Sequence, residues 1–314
     1  MAVFTKLKKK QLILFLNSFN IKKIRKFKEV NQGTENSTFF INTENKKFVL
    51  TLFEQGEYKD LVFFIDLLKF LYSHCFPVAV PLKDKNNIRI KKLSGKNALL
   101  FPKLYGRHPK KPNIEQCSII GKTLGKLHSI SKYFKLKKQN LRDLNWIILN
   151  YYKVIFFLNK TDQKLMFNQI YLLKNLVKNL KIPQGILHGD LFRDNTLFYG
   201  NNICGLIDFY NGCTGNLLFD LAILINDWCS DKYGKIIEYK YKAILKNYII
   251  ERPFTKQELY IWPKMLCLTA LRYWISRLLV INIFPGFQKL KPKEPKKYRD
   301  ILISRCNKHL PSLN

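Results

Sequence analysis

Acidic residues are scarce in this chain. Across 314 residues, 22 Asp and Glu stand against 55 Lys and Arg, a net charge of +33. Cysteine occurs seven times, with no C-x-x-C pair. An odd number without paired spacing argues against both a zinc centre and a disulfide framework, so free thiols in a reducing compartment are expected. Long apolar runs are also missing. No stretch reaches the ~18 uninterrupted apolar residues of a membrane-spanning helix, and the most apolar late segment, around 266–284, contains Arg272 and Arg277. Near the start, Lys6, Lys8, Lys9 and Lys10 precede the apolar run Leu12–Leu16. That run is too short for a signal peptide, and an amphipathic helix fits better. These absences point to a cytoplasmic protein with no membrane association.

What the chain does hold is 47% hydrophobic residues, enough to build a large core and to exclude a disordered chain despite the charge. The length allows two lobes or domains. The positive excess raises the possibility of a nucleic-acid partner, but 45 of the 55 basic residues are Lys, spread over every stretch beside abundant Asn, Ile, Phe and Tyr. Readers of nucleic acid rely on Arg for bidentate contacts. Lys of this kind reflects AT-rich codons rather than a nucleic-acid surface, and no nucleic-acid partner is expected.

Periodicity divides the chain. Leu12, Phe15, Leu16 and Phe19 have helical spacing, and 27–31, 38–43 and 47–53 read as strands. A helix is expected over 61–72, then strands over 87–91 and 98–104. After Pro109 and Pro112 the pattern is mainly helical, with Asn113 or a neighbour capping a helix to about Ser131. Short apolar runs at 185–188, 196–199 and 203–208 interrupt it, with Asn201-Asn202 suited to a hairpin turn. Helices resume over 217–280. Lys289–Lys297 reads as an exposed basic loop, followed by a last short helix. The expected class is α+β: a β-rich N-lobe over 1–105 and a larger helical C-lobe over 106–314 with an embedded hairpin.

The chemistry concentrates in His188-Gly189-Asp190-Leu191-Phe192-Arg193-Asp194-Asn195, with Asp208 thirteen residues further on in Ile207-Asp208-Phe209-Tyr210. An Asp, an Asn five residues later and an Asp at a strand end form the layout used for phosphoryl transfer. One carboxylate orients the attacking hydroxyl. A second carboxylate and a neutral amide oxygen suit a divalent cation that bridges phosphates. Each residue alone would pass as turn chemistry; the combination is far more specific. His188 is expected to orient the loop rather than act as a base.

These residues resemble the aminoglycoside phosphotransferase and choline kinase superfamily, whose fold is protein-kinase-like and bilobal. The run 121–128, Gly-Lys-Thr-Leu-Gly-Lys-Leu-His, is similar to the helix preceding the active-site region in that group. Within it the chain looks most like the homoserine kinases, through 1–5, 33–37, 48–54, 188–195, 205–210 and 224–229. The resemblance implies phosphorylation of the L-homoserine hydroxyl by ATP in threonine biosynthesis; a related kinase acting on choline, an aminoglycoside or a methylthioribose-like alcohol is the alternative. It implies Asp190 as catalytic base, Asn195 and Asp208 as Mg²⁺ ligands, and Gly33, Asn36 and Ser37 in a loop over the nucleotide phosphates. Arg193 is a candidate for the phosphoryl group or the substrate, with an ion pair to Asp194 as the structural alternative. Asn226 and Asp227 are candidates for the substrate ammonium. One departure stands out: Thr51 occupies the position of the third-strand Lys of kinases, which leaves open the cation that meets the phosphates. No obligate protein partner is implied.

Overall fold

In the computed structural model, residues 5–30, 36–177, 182–283, 293–306 and 310–311 are described. The chain forms two compact units, the first ending at Tyr105 and the second beginning at Gly106. The first carries α1 (Lys9–Asn17), strands β1 (Lys26–Glu29), β2 (Ser37–Asn42), β3 (Lys47–Phe53), β4 (Lys91–Leu93) and β5 (Lys96–Pro102), and α2 (Tyr58–Ser73). The strands make one antiparallel sheet in the order β1-β2-β3-β5-β4. Alternation along β3 sends Phe48, Leu50 and Leu52 to a core shared with Leu12 and Leu16 of α1. The opposite face of the same strand carries Val49, Thr51 and Phe53. There Phe64 of α2 packs edge-on to Phe53 and also meets Phe101. Both faces of the sheet are thus covered.

The strand expected over 87–91 forms instead at Lys91–Leu93. The buried carboxylate of Asp84 accepts hydrogen bonds from the backbone of Asn86 and Ile88 and from Lys91 Nζ. It holds the preceding residues in a tight turn, with Asn87 at φ 63°, which a side-chain-blind periodicity cannot register.

The second unit is helical around two small strand pairs. Its elements are α3 (Ile114–Ile130), α4 (Leu144–Val154), α5 (Lys160–Val177), β6 (Gln184–Leu187), β7 (Thr196–Tyr199), β8 (Asn202–Leu206), β9 (Cys213–Asn216), α6 (Leu217–Trp228), α7 (Glu238–Glu251), α8 (Lys256–Asn282) and α9 (Pro295–Cys306). Asn113 caps α3 by accepting from Gln116 N. Pro295 opens α9, so Lys297 lies in a helix and not in the exposed loop expected there; 289–292 lie outside the described residues. By length and composition α8 could cross a membrane, but most of its apolar surface is buried within this unit. Of the seven thiols, Cys117, Cys213, Cys229 and Cys267 are buried, whereas Cys75 is exposed.

Helix α3 packs closely on α7 because Gly121 and Gly125 leave room. A Cβ on Gly125 would lie 2.7 Å from Tyr248 O, and one on Gly121 would collide with the backbone of Ile244. Gly121→Ala therefore forces the two helices apart. We expect a loss of about 1–3 kcal/mol in urea denaturation, despite the better helix propensity of Ala. An unchanged midpoint would show that the helices separate without cost.

Candidate active site

The loop after β6 is set by three devices. Gly189 has φ +79°, and a Cβ there would sit 2.7 Å from Asn211 O, so only glycine fits between His188 and Asp190. The backbone N–H groups of His188 and Gly189 donate to the two oxygens of Asp220, at 2.6 and 2.8 Å. The His188 ring donates from Nε2 to Ile207 O at 3.0 Å and packs against Phe209. His188 therefore orients the loop from beneath.

Asp220 on α6 is fully buried. It also meets His128 Nε2 at 3.4 Å, and His128 Nδ1 lies 2.8 Å from Tyr248 OH. Tyr248 in turn accepts from Arg252, whose other Nη donates to Glu258. One polar chain thus runs from the loop through α6, α3 and α7 to α8. Burial pushes the His128 and His188 imidazoles below their ordinary pKa. Burial alone would raise the Asp220 carboxyl; hydrogen bonding to His128 outweighs it, aided by the His188 contacts, and holds the group below the usual carboxylate range.

The sign of the resulting pH dependence follows directly. Histidines buried neutral bind protons in the unfolded chain first, so their contribution is complete above pH ~6.5 and is lost as pH falls below it. We expect the melting temperature to drop between pH 7 and 5, with a slope of up to about 1.4 kcal/mol per pH unit for each histidine. A flat thermal profile over that range would contradict it. The carboxylate of Asp220, depressed in the fold, adds a loss only at still lower pH.

Asp190 is half-buried at the head of the loop. Its Oδ1 accepts from Tyr273 OH on α8 at 2.6 Å, and Asn195 Nδ2 bridges its backbone oxygen at 2.8 Å and its Oδ2 at 3.2 Å. The β7–β8 hairpin then closes the constellation. Its register pairs Thr196 with Leu206, and Ile207 N donates to Asn195 O at 3.0 Å. Asp208 follows immediately, exposed and in the left-handed region at φ 65°, a conformation that Asp tolerates better than most residues. Asp190, Asn195 and Asp208 are therefore drawn together by one loop and one hairpin.

Residues 26–248 match the phosphotransferase enzyme family. A homoserine kinase of Pseudomonas aeruginosa is 38% identical over 314 residues, covering 99% of each chain. The chain belongs to this phosphotransferase family. A homoserine kinase of Neisseria meningitidis is 32% identical over 304 residues, covering 97% of this chain and 99% of its own. Among solved structures, an amicoumacin kinase in complex with AMP-PNP and Ca²⁺ superposes with a TM-score of 0.71 at 16% identity, covering 95% of this chain and 92% of its own. An aminopropanol kinase gives 0.70 at 12%, covering 95% and 94%. The α+β, protein-kinase-like fold read from the sequence is the fold of these phosphotransferases.

Other anticipated residues of the phosphotransferase stand elsewhere. Gly33 lies outside the described residues. Asn36 is half-buried just before β2. Ser37 is fully buried; its hydroxyl donates to Glu54 and accepts from Thr5 N, so it fixes a strand end rather than facing phosphates. Arg193 is committed as well. Its Nε and Nη2 donate to Asp227 at 3.0 and 3.3 Å, its Nη1 to Lys110 O, and its backbone N–H to Asp227 again. The alternative pairing with Asp194 does not form, because Asp194 pairs with Lys293 at 2.7 Å. Asp227 also takes Lys297 at 3.0 Å. Burial would raise its carboxyl, but these two cations hold it well below the usual range. Already shared by two cations, it is a poor partner for a substrate ammonium. Asn226 is fully buried, donating to Leu266 O and Thr269 and accepting from Arg305, so it reaches no site.

Beside this ion cluster is a cavity of about 340 Å³, lined by Phe192, Arg193, Asp227, Arg277, Glu294 and Lys297 among others. Sequence reasoning missed Asp220, Tyr273 and Lys297 as supports of the loop. The visible signal was a polar residue placed within an otherwise apolar helix.

Proposed function

We propose that this protein is a homoserine kinase, transferring the γ-phosphoryl group of ATP to the side-chain hydroxyl of L-homoserine. The supporting observation is the convergence of Asp190, Asn195 and Asp208 on one loop and hairpin, in a chain 38% identical over its full length to a homoserine kinase. The product, O-phosphohomoserine, belongs to threonine biosynthesis, which is a cytoplasmic role.

Asp190 accepts the hydroxyl proton. Tyr273 and Asn195 hold its two oxygens from opposite sides, so the carboxylate is oriented before substrate arrives. Arg193 keeps the intervening loop in place through Asp227. The donor types suit Mg²⁺: Asp208, exposed at the end of the hairpin, would bring a carboxylate, and Asn195, its amide nitrogen committed to Asp190, would bring its oxygen. Two hard oxygen ligands leave positions for phosphates and water, as Mg²⁺ prefers. When bound, the ion neutralises charge on the phosphates.

Measuring ADP release with Mg-ATP and a panel of homoserine, choline, an aminoglycoside and methylthioribose tests the reading. Turnover with homoserine, abolished by EDTA and restored by Mg²⁺, is the expected result. Turnover with another alcohol but none with homoserine would refute it.

A further inference from the structure

Arg272 lies on α8 within Met265–Ile275, a run that is buried throughout. It is 2% exposed. Its Nε is sealed from solvent with no acceptor, and among the described residues the guanidinium has no hydrogen bond and no carboxylate partner. Its contact is with the Tyr273 ring, whose centroid is 3.8 Å from Cζ. The other well-buried arginines are satisfied: Arg252 by Glu258 and Tyr248, Arg305 by Asn226, Gly234 O and Ser230. A cation–π contact offsets only part of the cost of removing a guanidinium from water, and an unpaired buried cation is strongly unfavourable. An anion seated on the guanidinium would complete the arrangement.

The location says which anion. The Tyr273 ring carrying Arg272 on its face places its hydroxyl 2.6 Å from Asp190 Oδ1. The orphan cation and the base are therefore two contacts apart on one side chain. We propose that Arg272 is the anchor for the carboxylate of the substrate, gripping it through paired N–H donors while the hydroxyl at the other end of the substrate reaches Asp190. The inference rests on the homoserine reading and deepens it. The site selects alcohols that carry a carboxylate, and choline and aminoglycosides carry none. The free protein keeps an uncompensated charge, and the substrate supplies its partner.

The test compares homoserine with 3-aminopropan-1-ol, the same molecule without its carboxylate, in the full-length protein. In R272M the ratio of kcat/KM for homoserine to that for aminopropanol should fall at least tenfold, with KM for homoserine rising. R272K, which keeps the charge but loses the planar fork, should fall between. Because R272M removes an unpaired buried charge, its melting temperature without substrate should equal or exceed that of the wild type, and homoserine should no longer raise it. If R272M fails to fold, the ratio in R272K decides. An unchanged ratio in both variants overturns the proposal, as does the same shift in R277M instead, which would move the anchor to the neighbouring cavity. The homoserine reading fails separately, when wild-type protein releases no ADP with homoserine. In that case a wild-type preference for an alcohol without a carboxylate also overturns the Arg272 anchor. A preference for another hydroxy acid supports it if R272M loses that preference.

Discussion

Asp190→Asn should lower kcat by about 10²–10⁴-fold while leaving KM for ATP nearly unchanged. The substitution keeps the size of the side chain and removes its ability to take a proton. Asn195 can still donate to the amide oxygen, and the Tyr273 hydroxyl, which also reaches Gly189 O, can reverse its role and accept from the new N–H₂, so the loss is mainly chemical rather than positional. Asp190 is only half-buried, and its carboxylate lies outside the polar chain that carries the fold. The melting temperature should therefore move little, which separates this effect from damage to the fold. Steady-state kinetics with varied ATP and homoserine provides the measurement. A variant with near-normal kcat would remove Asp190 from the chemistry.

Asp220→Asn carries the largest expected effect on stability. Asp220 collects two backbone N–H groups of the loop and His128, with no solvent access. An amide in its place presents an N–H₂ to groups that are themselves donors. At least one buried N–H then loses its acceptor, and the negative charge that balances the donors is gone. Breaking such a network costs about 3–5 kcal/mol. Urea denaturation should show that loss, and kcat should fall with it, because the loop that carries Asp190 is no longer pinned to α6. A variant with wild-type stability would mean that the loop is held by its other contacts, chiefly His188 Nε2 to Ile207 O.

The two variants divide the site by role. In the proposed reaction Asp190 would face the reacting atoms and contribute little to stability; Asp220 lies beneath the loop and holds it through two backbone N–H groups. Asp227 repeats the second pattern further along, where it fixes Arg193 and Lys297 together. Three acidic residues of a chain with few acids are thus committed to one loop. The rest of the +33 charge has no counterpart in this machinery.

Short-range pattern was enough for most elements. Alternation placed β2 and β3, helical spacing placed α1 and α2, and two short apolar runs placed the β7–β8 hairpin, although its turn is Gly200-Asn201 rather than the expected Asn201-Asn202: Asn202 already pairs with Tyr199, and Gly200 takes φ 56°. The grouping of Asp190, Asn195 and Asp208 was equally legible, because it follows from one loop and one hairpin that are local in sequence. β9 was not legible. Cys-Thr-Gly-Asn has weak strand propensity, and it is extended because it pairs with β6, 32 residues away at Gln184↔Asn216 and 26 at Leu187↔Cys213.

The roles of Arg193, Ser37, Asn226 and Arg272 depended on the tertiary structure. Sequence shows a charged or polar side chain and its neighbours along the chain. Whether that side chain is free for a ligand depends on which partners arrive from distant elements. Arg193 and Ser37 looked available and are paired, the one with Asp227 and the other with Glu54. Asn226 looked close to the site and is sealed between α6 and α8, where Leu266 O, Thr269 and Arg305 take its amide. Arg272 looked only like a charge that interrupts an apolar helix; it is buried on the Tyr273 ring, with an Nε that meets no acceptor among the described residues. Local pattern therefore determined the fold class and singled out the candidate reacting groups, whereas burial and long-range pairing decided which of the remaining polar groups are already committed to partners.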